Sequence, residues 1–317
     1  MSIKNIQLGL CCINTVLRKQ KPTVFVNRTC RLKTAQEKGL EHVKSLALQN
    51  LKDLLVILEW CKDHGIKAYR MSSDMFPHAG NPRYGEDLPE GPRYSIEFAH
   101  DLLHEIGRKA KEYDIRLSFH PGQYNQVAAK SEKVFKNTLL DLTMHAHILD
   151  VIEEGLEMGE NRAIMCIHGG GVYGDKKGTS ERWIKQFRDL PENVQSRIAI
   201  ENCEKCYSSE DCLYIAETLG IPHIHDTHHY SCYTLLHPDE TQKPVGSMMD
   251  RILATWTKRG LKPYFHISQQ GSGRTGHHSD YISEIPDYML SVPITVTMDV
   301  EAKAKEQAIL KLVEIYS

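Results

Sequence analysis

The sequence predicts an α/β fold, a single (β/α)8 TIM barrel with its active site at the carboxyl-terminal face of the strands. Eight short apolar segments recur along the 317 residues, and most are followed by an amphipathic segment. Such alternation indicates parallel strands with helices outside, and eight repeats favour a closed barrel. Six consecutive segments also end in His, Asp or Glu, as expected where strand ends surround an active site.

The predicted strands are short and spaced along the whole chain. They are Ile6–Cys11, Ala68–Met71, Arg116–Phe119, Ala163–Ile167, Arg197–Ile200, Ile221–Ile224, Pro263–Ile267 and Ile294–Val300. The amphipathic segments lie near 40–63, 94–113, 132–157, 179–189, 208–219, 245–259 and 302–316. An open, doubly wound sheet is the alternative, but no Gly-rich nucleotide-binding sequence follows the first strand. No linker or shift in composition divides the chain, so we expect one domain over residues 1–317.

Composition and charge restrict the class of protein. The net charge is −2, so no overall field attracts an anionic partner. There is no amino-terminal signal and no apolar run near the ~18–20 residues of a membrane span, so we expect an intracellular protein, cytoplasmic or nuclear, without a membrane partner. We also expect a monomer.

The nine cysteines are an odd number and are scattered along the chain, which suits a reducing compartment with free thiols. Cys203 and Cys206 have the spacing of a zinc knuckle. Only Cys212 lies nearby as a third sulfur, so an ordinary loop is favoured there.

The segment from Thr15 to Gln36 is long for a barrel loop and contains six basic residues without an acidic one. They are Arg18, Lys19, Lys21, Arg28, Arg31 and Lys33. Two interpretations remain open, a solvated loop and a surface that holds a phosphate backbone beside the barrel mouth.

The polar residues at the strand ends indicate a metal centre. The carboxyl ends of all strands in a barrel meet on one face. The third to the eighth predicted strands end at His120, His168, Glu201, Asp226, His266, and Asp299 with Glu301. Independent structural histidines have no reason to share a face, and imidazoles with carboxylates in one cavity are costly without cations.

Two further candidate ligands come from the loops. His229 follows Asp226 by three residues, and His278 lies in the loop after the seventh strand, where His277 is the alternative. The predicted ligand set is His120, His168, Glu201, Asp226, His229, His266, His278 and Glu301. Eight ligands are enough for two or three ions bridged by carboxylates. Imidazole and carboxylate without thiolate suit zinc or manganese.

Several close divalent ions usually hydrolyse a phosphate ester. The alternative on this barrel is a sugar isomerase or epimerase, which ordinarily needs fewer histidines and a catalytic Lys or a second carboxylate pair.

Three loop features favour a nucleic acid as the substrate over a sugar. The turn HPGQY places Gln123 and Tyr124 above the predicted metals, where they could fill a gap in a duplex. Tyr124 could instead be a loop aromatic that covers the barrel edge. The HGGGVYGDK segment allows close backbone approach, and its Tyr173 and Lys176 are candidates for phosphate or base contacts. The basic segment from Thr15 to Gln36 is the third feature.

The sequence resembles the ultraviolet-damage endonuclease family from about Leu8 to Lys305. The motifs that carry the resemblance are SSDMFP, FHPGQY, HGGGVYGDK, AIEN, HDTHH, HSDYI and MDVEAK, in this order. The DTHH segment with its preceding Glu is also similar to the endonuclease IV group on the same barrel, which leaves an abasic-site endonuclease as an alternative activity.

The resemblance implies a DNA repair enzyme. It implies a trinuclear divalent-metal site, usually manganese, and incision of damaged double-stranded DNA immediately 5′ to a pyrimidine photoproduct. Cyclobutane dimers and 6-4 photoproducts are the expected lesions. The products would carry a 3′-hydroxyl and a 5′-phosphate, and the damaged dinucleotide would be flipped out of the helix.

The resemblance also assigns roles to residues. One ion would be held by His120, His168 and Glu201. A second would be held by Glu201, Asp226, His266 and Glu301, and the third by His229 and His278. Of these, Glu201, His229 and His278 are the expected catalytic residues. Gln123 and Tyr124 match the family's probing pair, and Asn14 matches a polar residue near the lesion.

Two positions depart from the family's pattern. Leu10 stands where the family commonly has Tyr, so one lesion-side probe is missing or replaced. Tyr264 stands where the family commonly has a Lys modified by carbon dioxide near the metals. The departure at Tyr264 bears on the coordination or occupancy of the third ion. A metal-dependent DNA-binding protein is a further alternative if the two departures have removed turnover.

Overall fold

The computed structural model describes residues 3–85 and 93–317. Eight parallel strands close into a barrel in chain order, with the first strand paired to the eighth. The strands are β1 (Ile6–Cys11), β2 (Ala68–Met71), β3 (Arg116–Phe119), β4 (Ile164–His168), β5 (Ile198–Glu201), β6 (His223–Asp226), β7 (Tyr264–Ile267) and β8 (Val296–Val300). The predicted (β/α)8 fold is confirmed.

Helices surround the barrel and follow most of the strands. They are α1 (Thr15–Arg18), α2 (Leu32–Lys38), α3 (Leu40–Asp63), α4 (His100–Glu112), α5 (Glu132–Glu153), α6 (Lys176–Phe187), α7 (Glu192–Arg197), α8 (Ser209–Leu219), α9 (Thr227–Leu236), α10 (Met249–Thr257), α11 (Asp287–Leu290) and α12 (Glu306–Tyr316). Short 3-10 turns lie at Glu97–Ala99, Gly159–Asn161 and Val245–Ser247. None of the helices within the described residues is long and apolar enough to cross a membrane. A single domain over residues 1–317 remains our proposal.

β4 to β8 begin or end one or two residues away from their predicted limits, and several helices are shorter than predicted. Two of these differences have a physical reason in the structure. The sixth strand was expected to end at Ile224, but β6 continues through the buried His225 and Asp226. A strand buried on both faces keeps its conformation past the end of its apolar run when its polar side chains find partners. The last helix begins only at Glu306, because Lys305 has a positive φ of 54° that helical geometry excludes.

Small residues inside the barrel leave space for larger ones. The interior cluster contains Ala68, Ile164, Cys166, Ala199, Ile224, Trp256, Leu261 and Tyr264. A Cβ atom at Gly9 would lie 2.2 Å from Oδ1 of Asp299, so only glycine fits beside that carboxylate. The barrel is therefore filled by side chains, and its upper layer is polar.

The cysteine pair after β5 lies in a tight loop held by backbone hydrogen bonds. The Sγ atom of Cys203 accepts hydrogen bonds from the backbone N–H groups of Cys206 (3.2 Å) and Tyr207 (3.3 Å). All nine cysteines are free thiols. Neither Cys203 nor Cys206 joins a candidate metal-binding group in the part of the chain that the structure describes. The favoured interpretation, an ordinary loop, agrees with this geometry.

Candidate metal centre

Strand register brings the polar strand ends to one level. His168 and Glu201 are the last residues of β4 and β5 and pair directly across the sheet. Asp226 at the end of β6 pairs in the same way with His266 in β7. Because neighbouring parallel strands end together at the carboxyl face, these four side chains meet at the barrel mouth.

Glu201 is the centre of this cluster. Its side chain is fully buried. Its Oε2 atom lies 2.9 Å from Nε2 of His120 and 3.6 Å from Nδ1 of His168. Its Oε1 atom lies 2.9 Å from Nδ1 of His266 and 3.4 Å from Nδ1 of His229. One carboxylate therefore faces imidazoles from several separate βα units.

The candidate ligand atoms form groups that share some residues, and the atoms of each group lie close enough together to bind one ion. Among the described residues the groups are His120, Cys166, Glu201 and His266; then His168, Glu201 and His229; and then Asp226, His266 and Glu301. The atoms in each group lie within 4.8 Å of one another. Glu201 and His266 each belong to two groups, which is the arrangement expected of ligands shared between neighbouring cations.

Some polar atoms in the buried cluster have no hydrogen-bond partner, as expected of atoms that coordinate a metal ion. Oδ1 of Asp226 caps α9 by accepting a hydrogen bond from the N–H of His229 (2.6 Å), but its Oδ2 has no partner. Nδ1 of His168 also has none. Buried carboxylate and imidazole atoms without partners are costly, and cation coordination would remove that cost. The residues present therefore fit divalent ions.

The electrostatics of the cluster favour the ionised forms of Glu201 and Glu301, whereas burial raises the pKa of Asp226. Burial alone would raise the pKa of Glu201, but the surrounding imidazoles lower it well below its usual value. Burial likewise opposes the charged form of His266, yet Glu201 and Glu301 raise its pKa to about 9. The pKa of Glu301 is lowered, against burial, chiefly by Arg70 and His266.

The raised pKa values of His266 and His229 favour imidazolium beside the Glu201 carboxylate, whereas burial lowers the pKa of His168 to about 4. A bound cation would replace the protons on the charged imidazoles.

The loop after β7 distinguishes its two histidines. Residue His278 forms an isolated antiparallel bridge with Gln270. That bridge directs its Nδ1 atom to within 3.8 Å of Oε2 of Glu301. The ring of His277 packs against Gly273 instead. His278 therefore lies nearer the cluster, beside Glu301, but it joins none of the three candidate groups found among the described residues.

Some of the residues predicted to contact DNA are exposed, and others already have hydrogen-bond or ionic partners within the protein. Gln123 and Tyr124 are exposed above the barrel mouth, and Tyr124 is 63% accessible. Tyr173 is 41% accessible. In contrast, Asn14 is buried and caps α1 by accepting from Leu17 N–H at 2.9 Å.

Lys176 also has partners within the protein. Its ammonium group contacts the hydroxyl of Tyr233 and lies 3.1 Å from Asp211 and 3.4 Å from Glu240. A contact with DNA would have to compete with these partners.

The basic segment is partly anchored on α3. Arg28 pairs with Asp53 at 2.7 Å, and the backbone N–H of Phe25 donates to the same carboxylate. The remaining basic residues of the segment are exposed, namely Arg18, Lys19, Lys21, Arg31 and Lys33. This leaves both interpretations of the segment available.

The two departures from the family pattern are buried. Leu10 is a core residue of β1 with no exposed surface. Tyr264 lies inside the barrel below His266, and its hydroxyl contacts Asp299 and Ser118. Neither side chain reaches the surface where DNA would bind.

Two residues at the cluster were not predicted. The thiol of Cys166 lies 2.9 Å from Oε2 of Glu201, and the guanidinium of Arg70 pairs with Glu301. Both positions could have been found from strand alternation. Cys166 precedes His168 by two residues and Arg70 precedes Ser72 by two, so each pair points to the same side of its strand.

The fold and this cluster define a TIM barrel with a candidate multinuclear metal centre at the carboxyl ends of its strands. The family model for the UV-endonuclease UvdE matches residues 6–317. The chain therefore belongs to this family of DNA-cleaving hydrolases, as the motifs predicted.

Individual relatives agree with this assignment. The chain is 37% identical to a protein of Acanthamoeba polyphaga mimivirus, over 97% of this chain and 90% of the relative. It is 37% identical to the UV-damage endonuclease of Schizosaccharomyces pombe over 98% of this chain, and it spans only 50% of that protein. The crystal structure of SacUVDE matches with a TM-score of 0.83 and 29% identity, covering 98% of this chain and 97% of that one.

Proposed function

We propose that this protein is a metal-dependent DNA repair endonuclease that incises the phosphodiester backbone immediately 5′ to UV photoproducts. Cyclobutane dimers and 6-4 photoproducts are the proposed lesions, and the products carry a 3′-hydroxyl and a 5′-phosphate. One observation carries the proposal: the buried Glu201 carboxylate faces imidazoles from several βα units in a member of the UV-endonuclease family.

The proposed metal centre uses the ligand set predicted from the sequence. His120, His168 and Glu201 would hold one ion, Glu201, Asp226, His266 and Glu301 would hold a second, and His229 and His278 would hold a third. Manganese is favoured and zinc is the alternative. When bound, such ions lower the pKa of a water ligand and stabilise charge on the attacked phosphoryl group and the leaving oxygen.

The protein's own residues orient the reacting groups. Both oxygens of Glu201 face imidazoles, so its carboxylate would be oriented towards both neighbouring ions without a change of rotamer. Asp226 is fixed as the cap of α9, which also sets the position of His229. We propose Glu201, His229 and His278 as the catalytic residues, as the resemblance to the family implies.

The proposed substrate is damaged double-stranded DNA. Gln123 and Tyr124 are exposed at the barrel mouth, where an amide and an aromatic ring can occupy the space left by flipped bases. Asn14, Tyr173 and Lys176 are the further proposed contacts with the lesion or backbone. We propose that the protein acts as a monomer in the cytoplasm or nucleus.

An incision assay tests the proposal. Duplexes with one cyclobutane dimer, one abasic site or no lesion are incubated with the protein and Mn²⁺, and the cut position and end groups are mapped. We expect incision 5′ to the dimer and an end that a polymerase extends. A cut only at the abasic site would instead indicate an endonuclease IV-type activity. Binding without cutting would indicate a DNA-binding protein.

The variant Glu201→Gln should reduce incision by at least about 100-fold, because an amide cannot bridge two cations as a carboxylate does. Circular dichroism and the melting temperature check that the variant is folded. Glu154→Gln is a matched control, since Glu154 is exposed and pairs with His104 away from the barrel mouth. Full activity in the folded Glu201→Gln variant would contradict the proposal.

A further inference from the structure

A second polar layer lies below the candidate ligands, inside the barrel. Tyr264 and Asp299 have no exposed surface, and Ser118 is 1% exposed. The hydroxyl of Tyr264 donates a hydrogen bond to Oδ1 of Asp299 (2.8 Å) and lies 3.1 Å from Oγ of Ser118. These three side chains come from β7, β8 and β3, so the layer crosses the barrel.

Two atoms without hydrogen-bond partners lie near each other between this layer and the candidate metal centre. Oδ2 of Asp299 and Nε2 of His266 lie 3.9 Å apart, and neither has a hydrogen-bond partner. The other ring nitrogen of His266, Nδ1, lies 2.9 Å from Glu201 and 3.3 Å from Glu301. The ring therefore directs one nitrogen to the candidate ligands and the other to Asp299.

The Asp299 carboxylate has little freedom to turn away. Its Oδ1 atom is held by the Tyr264 hydroxyl and lies against the backbone of Gly9, where a Cβ would be only 2.2 Å away. A small movement of the two side chains would close the remaining gap between Oδ2 and Nε2. A buried donor and a buried acceptor that face each other are stabilised when that contact forms.

We propose that Asp299, held by the hydroxyl of Tyr264, is a positioning residue that orients His266 so that Nδ1 is its metal-binding atom. A histidine ligand usually donates its second N–H to a carboxylate, which fixes the tautomer and the ring orientation. The inference deepens the proposed function and rests on its metal centre. It gives Tyr264 a role in this chain that acts through Asp299.

The test measures metal affinity directly, without DNA. Zn²⁺ or Mn²⁺ is titrated calorimetrically into the metal-free protein and into Asp299→Asn, Tyr264→Phe and Ser118→Ala. Asp299→Asn should lower the affinity about 10- to 100-fold, the usual effect of losing such a partner. Tyr264→Phe keeps the ring but loses the hydroxyl, so a smaller decrease is expected. Ser118→Ala is the matched control, since it removes the other contact of that hydroxyl and should leave the affinity unchanged.

A spectroscopic measurement separates orientation from general damage. In zinc-loaded protein with ¹⁵N-labelled histidine, the His266 signals should show a proton on Nε2, and Asp299→Asn should shift or broaden that signal. Unchanged affinity and an unchanged Nε2–H signal in Asp299→Asn would overturn the inference while leaving the metal centre intact. An equal loss in Ser118→Ala and Tyr264→Phe would also overturn it. A wild-type protein that binds no metal would instead remove the metal centre itself.

Discussion

Tyr124 is the most exposed aromatic side chain among the described residues, at 63% accessible. It lies in the loop after β3, directly beyond the candidate ligand His120. Its hydroxyl donates a long hydrogen bond to Asp141 (3.3 Å), and part of the ring packs against Gly122, so the ring is held in place while most of it stays accessible. An aromatic ring held in this way can stack on bases of any sequence.

The variant Tyr124→Ala should therefore weaken the discrimination of damaged from intact DNA by about 1–3 kcal/mol. The measurement is the ratio of dissociation constants for a dimer-containing and an intact duplex in the presence of Ca²⁺, which holds the complex without rapid cutting. Tyr214→Ala is the control, because Tyr214 is similarly exposed (54%) but lies on α8. If the Tyr124→Ala ratio equals that of the wild type, the ring does not probe the lesion.

The helices α4 and α5 approach closely at Gly107. A Cβ added there would lie 1.8 Å from the carbonyl oxygen of Ile152 and 2.9 Å from its carbon. Both atoms belong to the backbone of α5, so they cannot move without shifting that helix. Two effects oppose each other when Gly107 becomes Ala, a gain of about 1 kcal/mol in helix propensity and the cost of this overlap.

The overlap should win, because excess volume in a packed interior typically costs about 1–3 kcal/mol and backbone atoms yield less than side chains. Gly107→Ala is therefore expected to lower the free energy of unfolding in urea, by about 1 kcal/mol or more after the propensity gain. Gly246→Ala serves as the comparison, since nothing lies within 4 Å of its added Cβ. Greater stability of Gly107→Ala than of the wild type would show that α4 and α5 can separate.

The elements that follow local patterns were predictable, and those set by distant contacts were not. The eight strands follow from their apolar runs, and β1, β2 and β3 have the predicted limits. The end of β6 was missed because its polar residues are stabilised by residues far along the chain: the side chain of His225 contacts Ser209, and the N–H of Asp226 donates to Asn202. The spacing of apolar and polar residues along the sequence does not indicate such contacts.

The same distinction applies to the candidate site. The sequence could indicate which polar side chains meet at the barrel mouth because strand ends share a face, whatever the details of packing. Their role as metal ligands stays a prediction. The choice between His277 and His278 depended on a bridge to Gln270 within an irregular loop. The environment of Lys176 depended on Asp211, Tyr233 and Glu240, which lie 35 to 64 residues away in the chain. Sequence patterns identify residues of the right chemical type, but they do not show which other side chains those residues pair with.

In the molecule as a whole, a stable barrel supports a cluster that is itself unfavourable without cations. Apolar side chains and ladder hydrogen bonds hold the strands, whereas the mouth gathers buried carboxylates and unpartnered imidazole atoms. Ligands from β3 to β8 and the following loops must be close together for a cation to bind, and they separate when the chain unfolds. A metal that binds only the folded state therefore stabilises the whole barrel.

Removal of metal should accordingly lower the melting temperature. At a free concentration about 100 times the dissociation constant, one ion contributes about 2.7 kcal/mol, which corresponds to a rise of about 4 °C in the melting temperature of a chain of 317 residues. The measurement compares protein treated with a chelator, then dialysed, with the same protein after addition of Mn²⁺ or Zn²⁺. Mg²⁺ should give a smaller rise, because it prefers oxygen ligands in octahedral geometry to imidazole. The Glu201→Gln variant should lose most of this rise in melting temperature. If the wild-type protein melts at the same temperature with and without Mn²⁺ or Zn²⁺, there is no metal centre at the barrel mouth.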